Sequence, residues 1–245
     1  MKNGEKAKKR GPGLTESPDA YYARRVHEET ECGEPELAML GSLVGRGGLA
    51  VDIGANEGIY SFALSELGAA VHAFEANPNF ASFAARSLGP RATVHEMALS
   101  NVAGRASFYV PLADDGSELH FAGNLKNTHT GHEKLKVLDV EVRTLDSFAL
   151  KGVQFIKIDV EGSELEVLEG ARETIARDHP GLLLELLSGC YADPLAATRE
   201  VCAKYGYSAF VVDKGKRLDA ISTIAALKSN TTWGTPISTR NVLFL

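Results

Sequence analysis

The sequence has little cysteine. Its three cysteines in 245 residues, Cys32, Cys190 and Cys202, form none of the C-x-x-C pairs that zinc and redox sites use. A count this low and odd also excludes a small scaffold held together by disulfides. The chain must therefore fold around an apolar core, and its 44% hydrophobic content is enough to build one. Cysteine usage fits a reducing compartment, and we predict a cytoplasmic location.

Long apolar runs and an excess of positive charge are also missing. No stretch approaches the roughly 18 to 20 apolar residues that a membrane span needs, so we expect no membrane partner. Five of the first ten residues are basic, but no apolar segment follows them, so they are neither a signal peptide nor an anchor. We predict a disordered basic tail over residues 1–20 and a single domain over 21–245. The net charge of −6 disfavours nucleic acid as a partner, because such binding depends on clustered Lys and Arg.

Strand and helix patterns alternate along the chain after about residue 35. The pattern predicts strands over 49–53, 70–74, 93–97, 106–110, 137–142, 155–158, 182–187, 208–212 and 242–245, with helices over about 34–43, 59–67, 78–89, 163–177 and 194–204. Regular alternation of this kind favours an α/β fold with a mostly parallel sheet covered on both faces.

A glycine-rich turn joins the strand predicted over 49–53 to the helix predicted over 59–67. It reads Val-Asp-Ile-Gly-Ala-Asn-Glu-Gly over residues 51–58. Gly54 and Gly58 let the backbone turn tightly and approach a ligand at the carboxyl edge of the sheet. A dinucleotide fingerprint would need glycine at 56 and glycine or alanine at 59, where the chain has Asn56 and Ile59, so a pyrophosphate site is disfavoured. The acidic-x-G-x-x-x-G spacing is instead typical of methyltransferases that bind S-adenosylmethionine.

Two acidic residues accompany this turn. Asp52 supplies negative charge close to the site of a sulfonium cation. Glu75 ends the second strand about 20 residues past the glycine turn, where a carboxylate can accept hydrogen bonds from ribose hydroxyls. Small and apolar residues around Ala98 follow the third strand and are a candidate floor for an adenine ring. The three strand ends together predict one nucleoside site.

A second motif follows the strand predicted over 155–158. It carries the carboxylates Asp159 and Glu161, and Lys157 shares a strand face with Asp159 because strand side chains alternate. Two nearby carboxylates can hold one proton between them or bind a divalent cation such as magnesium. Glu185, near the end of the next strand, is a further candidate base or ligand. The sequence does not choose among these roles.

These motifs occur together in one known family. The turn at 51–58, the Phe-Glu-Ala-Asn-Pro segment at 74–78, the stretch Ile-Lys-Ile-Asp-Val-Glu-Gly-Ser-Glu-Leu-Glu-Val-Leu-Glu-Gly-Ala at 156–171 and the closing 241–244 segment resemble the FkbM family of methyltransferases. The resemblance runs from about residue 35 to the C-terminus, and the 156–171 stretch is its most specific part.

The resemblance implies a class I methyltransferase fold, which is Rossmann-like and doubly wound, with a mostly parallel seven-stranded sheet and an antiparallel C-terminal strand. It implies S-adenosylmethionine as methyl donor and a hydroxyl of a sugar, glycan or secondary metabolite as acceptor. Asp159 and Glu161 would lie beside the transferring methyl group. The implied cofactor positions are Asp52, Gly54, Ala55, Asn56, Gly58, Glu75, Ala98 and Asp159.

The acceptor side is less well defined. The polar loop from Leu112 to Leu135 is long enough to cap an acceptor, and its His129 or His132 is a candidate general base because the pKa of histidine lies near neutrality. Two other functions stay open: a non-catalytic module that keeps the fold, and an NAD-dependent oxidoreductase. The acceptor, a metal requirement and the oligomeric state are not defined by the sequence.

Overall fold

The computed structural model describes residues 16–119, 123–127, 134–187, 189–227 and 239–245. The strands of this part of the chain are β1 (Leu49–Ile53), β2 (Ala70–Glu75), β3 (Ala92–Glu96), β4 (Ala98–Leu99), β5 (Gly104–Pro111), β6 (Leu135–Arg143), β7 (Val153–Ile158), β8 (Gly181–Leu184), β9 (Ala209–Asp213), β10 (Lys216–Asp219) and β11 (Val242–Phe244). The α-helices are α1 (Pro18–Cys32), α2 (Ile59–Glu66), α3 (Pro78–Leu88), α4 (Glu164–Glu169), α5 (Arg172–Asp178), α6 (Pro194–Tyr205) and α7 (Ala220–Ala226).

The central sheet has the strand order β10-β9-β11-β8-β7-β1-β2-β3. β3, β2, β1, β7 and β8 are parallel neighbours, and β11 lies antiparallel between β8 and β9. The predicted fold class, mostly parallel with an antiparallel C-terminal strand, is therefore confirmed. From β1 the chain proceeds through β2 to β3 on one side, and from β7 to β8 on the other. The boundary between β1 and β7 is therefore the topological switch point, where open α/β sheets bind ligands.

The central sheet has one strand more than the seven expected. β10 pairs antiparallel with β9 through a tight turn at Lys214 and Gly215, both with positive φ. All four residues of β10 are exposed. The segment lacks the alternation of apolar and polar residues that identifies a half-buried strand, which is why the sequence did not predict it.

Helices cover both faces of the central sheet. On β1, Val51 and Ile53 pack in one core with residues of α4, α5, α6 and α7. Ala50, which points to the opposite face, packs in a second core with Leu64 of α2. The central strands β1, β7 and β8 are buried on both faces, as expected for a doubly wound sheet.

Some predicted helices differ from the structure. The helix predicted over 163–177 is divided at Gly170 into α4 and α5; a Cβ there would lie 2.1 Å from the carbonyl oxygen of Ser100, so the glycine permits a close backbone approach. The helix predicted over 34–43 is a 3-10 helix at Pro35–Ser42.

The tail predicted to be disordered over residues 1–20 overlaps a helix. α1 begins at Pro18, and the side chain of Ser17 accepts a hydrogen bond from the backbone N–H of Ala20 at 3.2 Å. Tyr21 and Tyr22 of α1 are fully buried against Phe62 of α2. A serine cap, a proline in the first turn and a buried aromatic pair explain why the helix starts within the predicted tail.

A second, three-stranded sheet has the order β4-β6-β5. β5 and β6 form a long antiparallel pair, and β4 runs parallel to β6. Phe108 and Val110 of β5 pack against Val140 and Val142 of β6. The loop between β5 and β6 carries His129 and His132, and both residues lie outside the described part of the chain.

None of the helices in the described part of the chain is both long enough and apolar enough to cross a membrane.

Candidate active site

A cavity of about 220 Å³ lies at the carboxyl ends of β1, β2 and β7. It contains both motifs that the sequence analysis selected. The predicted residues that line it are Asp52, Gly54, Ala55, Asn56, Glu75, Ala98, Asp159 and Glu161. The structure thus brings these predicted residues together; Gly58 is not among the described lining residues, and His129 and His132 lie outside the described chain.

The two glycines of the turn have different roles. Gly54 has φ 77°, and a Cβ on it would lie 1.8 Å from the carbonyl oxygen of Asp159, so the turn and the end of β7 approach too closely for any side chain. Gly58 has φ 88° at the start of α2, and its Cβ would lie 2.8 Å from Cδ1 of Leu88. Gly54 therefore shapes the cavity, whereas Gly58 permits α2 to pack on α3.

Glu75 is fixed by the backbone around it. Its Oε2 accepts a hydrogen bond from the N–H of Asn56 at 2.8 Å, and its Oε1 accepts one from the N–H of Asn77 at 2.7 Å. Burial raises the pKa of Glu75 to about 7, although these two hydrogen bonds oppose the rise. Each carboxylate oxygen retains acceptor capacity, so this position suits the hydroxyls of a ribose.

Asp52 is buried beneath the turn. Its Oδ2 accepts a hydrogen bond from the hydroxyl of Ser61 at 2.7 Å, and Asp52 pairs in register with Lys157 across β1 and β7. Burial raises the pKa of Asp52, and the charge of Lys157 and the Ser61 hydroxyl oppose that shift.

Lys157 and Asp159 form a buried ion pair, with Nζ and Oδ2 2.8 Å apart. The ammonium also lies 4.7 Å from the centre of the Tyr60 ring. Burial alone would lower the pKa of Lys157, but the carboxylates of Asp159, Asp52 and Glu34 raise it overall. Burial opposes ionisation of Asp159, yet Lys157 lowers the pKa of that carboxyl overall. Both partners are therefore charged, and the predicted shared strand face is confirmed.

Asp159 also belongs to a group of three acidic side chains. Oxygens of Asp159, Glu161 and Glu185 lie within 4.8 Å of one another. Burial and the charge of Asp159 raise the pKa of Glu161 to about 7. Burial and the same charge raise the pKa of Glu185 well above its ordinary value. Arg240 Nη1 lies 2.9 Å from Glu185 Oε1 without hydrogen-bond geometry, so this contact is an ion pair only.

Glu161 also has an unusual backbone. Its φ is 55°, in the left-handed region that non-glycine residues rarely adopt. The thiol of Cys190 donates to Oε2 of Glu161 at 3.3 Å. A strained backbone beside a buried acid is a feature of functional sites, where the surrounding structure holds a side chain in place.

A further network at the same end of the cavity has no local signal in the sequence. Glu34 accepts a hydrogen bond from the Tyr60 hydroxyl at 2.8 Å and another from the side-chain amide of Asn241. Oε1 of Glu34 lies 3.7 Å from Nη2 of Arg240. Glu34, Tyr60 and Arg240 all line the cavity. They are up to 206 residues apart in sequence, so no local spacing could have linked them.

α1 supplies further contacts at the cavity that were not predicted from the sequence. The hydroxyl of Tyr21 donates to Oε2 of Glu57 at 2.8 Å, and the hydroxyl of Tyr22 donates to the backbone oxygen of Glu57 at 2.7 Å. Glu57 belongs to the glycine turn. α1 therefore contacts the turn directly, and two of its residues, Arg25 and Glu29, line the cavity.

The second sheet and its loop supply the apolar wall. Phe108, Val110 and Leu125 line the cavity. The loop is held at both ends: Asn77 and Asn79 donate to the carboxylate of Glu118. At the other end, Lys126 Nζ donates to the backbone oxygen of Gly162 at 2.8 Å. The described part of the loop thus extends from the α3 side of the cavity to the α4 side.

Comparison with known proteins identifies this architecture. The family described as "Methyltransferase FkbM domain" matches residues 52–208, more than half of the chain. The chain belongs to the FkbM methyltransferase family. The match begins at Asp52 and includes both the glycine turn and the acidic motif after β7. Arg25, Glu34 and Arg240 lie outside the matched residues.

Two individual relatives show how far the likeness extends. The chain is 29% identical to the 2-O-methyltransferase NoeI of Sinorhizobium fredii over 142 residues, which are 52% of this chain and 58% of NoeI. A crystal structure of methyltransferase FkbM from Methylobacillus flagellatus superposes with a TM-score of 0.54 at 18% identity, over 92% of this chain and 53% of that one. The chain thus spans little more than half the length of either protein. The structural match supports the fold.

The cavity residues fit S-adenosylmethionine. Gly54 lets the turn lie directly against the end of β7, Glu75 offers a fixed carboxylate for a ribose, and the apolar wall around Phe108 suits an adenine ring. Acidic side chains outnumber cationic side chains along the cavity, with Glu29, Glu34, Asp52, Glu57, Glu75, Asp159, Glu161 and Glu185 against Arg25, Lys157 and Arg240. An acidic surface suits a sulfonium cation better than it suits a pyrophosphate.

Proposed function

We propose that this protein transfers the methyl group of S-adenosylmethionine to a hydroxyl oxygen of a sugar, glycan or secondary metabolite. The observation that carries the proposal is the carboxylate cluster of Asp159, Glu161 and Glu185 at one end of a cavity whose other end has the features of a nucleoside site. The relative NoeI is named a 2-O-methyltransferase, which supports oxygen as the methylated atom.

The proposed assignment of residues follows the cavity from end to end. Ala98 and Phe108 would contact the adenine, Glu75 the ribose hydroxyls, and the turn at Gly54 to Asn56 the rest of the cofactor. S-adenosylmethionine supplies an electrophilic methyl group on a sulfonium. The acceptor hydroxyl would then be held beside Asp159 and Glu161. Much of the acceleration would come from this alignment, since in-line displacement needs the reacting atoms close and collinear.

Glu161 is the proposed general base. Its pKa of about 7 places it where it can accept a proton at neutral pH, whereas Asp159 is a weaker base because Lys157 lowers its pKa. In the step, the acceptor O–H bond breaks and its proton moves to a carboxylate oxygen of Glu161. The acceptor oxygen forms the new bond to the methyl carbon, and the S–C bond breaks to leave S-adenosylhomocysteine. His129 stays an alternative base.

A divalent cation is a second way to activate the hydroxyl. Asp159, Glu161 and Glu185 are hard oxygen donors of the kind magnesium prefers. Lys157 and Arg240 already lie 2.8 and 2.9 Å from two of these carboxylates and offset their charge. We therefore favour proton transfer to Glu161 without a metal.

The other functions are less well supported. Asn56 stands where a dinucleotide site needs glycine, which disfavours an oxidoreductase. A non-catalytic module would not require the strained Glu161 beside two further acids. The acidic cavity and the net charge of −6 support a small-molecule or glycan acceptor over nucleic acid.

Labelled methyl transfer tests the proposal. The purified chain would be incubated with S-adenosylmethionine carrying a labelled methyl group and a panel of monosaccharides, oligosaccharides and hydroxylated metabolites. Each reaction would be run with magnesium and with a chelator. We expect label in an acid-stable methyl ether and equal rates under both conditions. Label on nitrogen, or binding of the cofactor with no transfer to any acceptor, would contradict O-methylation. Loss of transfer with the chelator would instead support the metal route.

A further inference from the structure

The cationic side chains of the cavity differ in what they contact. Lys157 pairs with Asp159, and Arg240 pairs with Glu185, so both belong to the end where the carboxylates meet. Arg25 is the third cation along the described lining, and it comes from α1. Its Nη2 lies 3.8 Å from Oε2 of Glu57. Arg25 is therefore the lining cation that lies against the glycine turn.

The side chain of Arg25 is largely enclosed and strongly oriented. It is 13% exposed, and Nη2 lies 2.6 Å from Oε1 of Glu29, which also lines the cavity. Its Nε has no hydrogen-bond acceptor among the described residues. A buried guanidinium donor without an acceptor is costly, so an acceptor brought by a ligand would be stabilising once the side chain adjusts.

The position of α1 is also fixed independently of Arg25. The buried hydrogen bonds from Tyr21 and Tyr22 to Glu57 anchor the helix on the turn. Arg25 and Glu29 are one helical turn apart and present a cation and an anion side by side. Such a pair is complementary to a zwitterion, which carries one carboxylate and one ammonium group on the same carbon.

We propose that Arg25 binds the α-carboxylate, and Glu29 the α-ammonium, of the amino-acid end of S-adenosylmethionine. The inference rests on the proposed function for the cofactor. Since Glu75 occupies the ribose end, the amino-acid end extends along the turn toward α1. α1 lies before the residues that match the family, so this chain completes its cofactor site with a helix outside the matched segment.

Two ligands that differ only in the amino-acid end test the proposal. S-adenosylhomocysteine carries it, and 5′-methylthioadenosine lacks it. Calorimetric titration would compare the full chain with the variants Arg25→Gln and Glu29→Gln. We expect Arg25→Gln to bind S-adenosylhomocysteine about tenfold or more weakly, the usual scale for a lost charged hydrogen bond. Its affinity for 5′-methylthioadenosine should be unchanged. Glu29→Gln should show the same selectivity with a smaller loss.

The matched control is Arg24→Gln on the same helix. Arg24 is exposed and pairs with Glu16 and Glu28, and it does not line the cavity. The Arg24→Gln variant should bind S-adenosylhomocysteine and 5′-methylthioadenosine as tightly as the unaltered chain does. Equal losses of affinity for both ligands in Arg25→Gln would mean that Arg25 only supports the turn. No loss of affinity for either ligand would mean that Arg25 has no role in binding. Either result would overturn the proposal. If Arg25→Gln does not fold, Glu29→Gln decides by the same comparison. An unaltered chain that binds neither ligand would overturn the cofactor assignment itself, which separates the two failures.

Discussion

The two ends of the cavity are built in different ways. At the nucleoside end, Glu75 accepts backbone hydrogen bonds on both oxygens, and Gly54 closes the turn on β7. At the other end, both oxygens of Glu185 lack a hydrogen-bond donor in the described structure, and the side chain contacts Arg240 only as an ion pair. The first end is complete without a ligand. The polar groups of the second end are less completely satisfied, which fits the proposed acceptor end of the cavity.

The largest effect is expected at Gly54. Gly54→Ala would put a Cβ into the carbonyl of Asp159 and force an alanine to adopt φ 77°. We expect a loss of stability of several kcal/mol and no measurable binding of S-adenosylhomocysteine, by thermal unfolding and calorimetry. Gly47→Ala is the matched control, since Gly47 has φ 79° with open space around it, and it should cost only about 1 kcal/mol. Equal losses in the two variants would contradict the close approach at Gly54.

The second prediction concerns turnover at the acidic end. Glu161→Gln should lower the methyl-transfer rate about 10²- to 10⁴-fold, because a carboxamide cannot accept the acceptor proton. Affinity for S-adenosylhomocysteine should change little. Glu169→Gln on α4 is the control, since Glu169 pairs with Arg172 and Lys204 outside the cavity. A Glu161→Gln variant with unchanged turnover would remove Glu161 as the base.

The third prediction concerns the nucleoside end. Glu75→Gln replaces an oxygen by a donor facing the N–H of Asn56 or Asn77, so the turn loses one of its two contacts with this side chain. We expect S-adenosylhomocysteine and 5′-methylthioadenosine to bind about 10- to 100-fold more weakly, and to a similar extent. Glu96→Gln is the control, because Glu96 pairs in register with Glu75 on β3 but is exposed. Unchanged affinity for both ligands would contradict the ribose assignment.

The smallest effect is a pH dependence of stability. Burial raises the pKa of Glu36 to about 7, although the hydroxyl of Thr239 opposes the rise. The folded state thus binds more protons than the unfolded state between about pH 4.5 and pH 7, so this stabilisation is present at low pH and lost as the pH rises through 7. A single group of this kind contributes at most about 3 kcal/mol.

Thermal unfolding from pH 5 to pH 8 would measure this dependence. We expect the midpoint to fall with rising pH, and to fall less steeply in Glu36→Gln. Asp159 acts in the opposite direction, because its lowered pKa makes its contribution disappear only on acidification. Equal slopes in the unaltered chain and in Glu36→Gln would contradict the raised pKa of Glu36, because an acid that is ionised in both states adds no pH dependence.

The two ends of the cavity also differ in how much of each could be predicted from the sequence. The order of strands and helices and the nucleoside end are encoded in short segments, since the turn at 51–58 and Glu75 follow consecutive strands. Gly170, where the predicted helix is divided, lies against the backbone of Ser100, and no helical period reveals that contact. Glu34, Arg25 and Arg240 reach the cavity from segments that meet only in the folded chain, so their positions could not be derived from spacing. His129 stays a prediction outside the described residues.

The place of β11 in the sheet also constrains how the protein is made. β11 follows β9 along the chain but lies between β8 and β9, so β9 and β10 have no route into the central sheet until residues 242–244 have emerged from the ribosome. Arg240 lies two residues before β11, so it reaches the cavity together with this strand. Gly54, Glu75 and Asp159 all lie within residues 49–159, whereas Glu185 gains the charge of Arg240 only when β11 is inserted between β8 and β9.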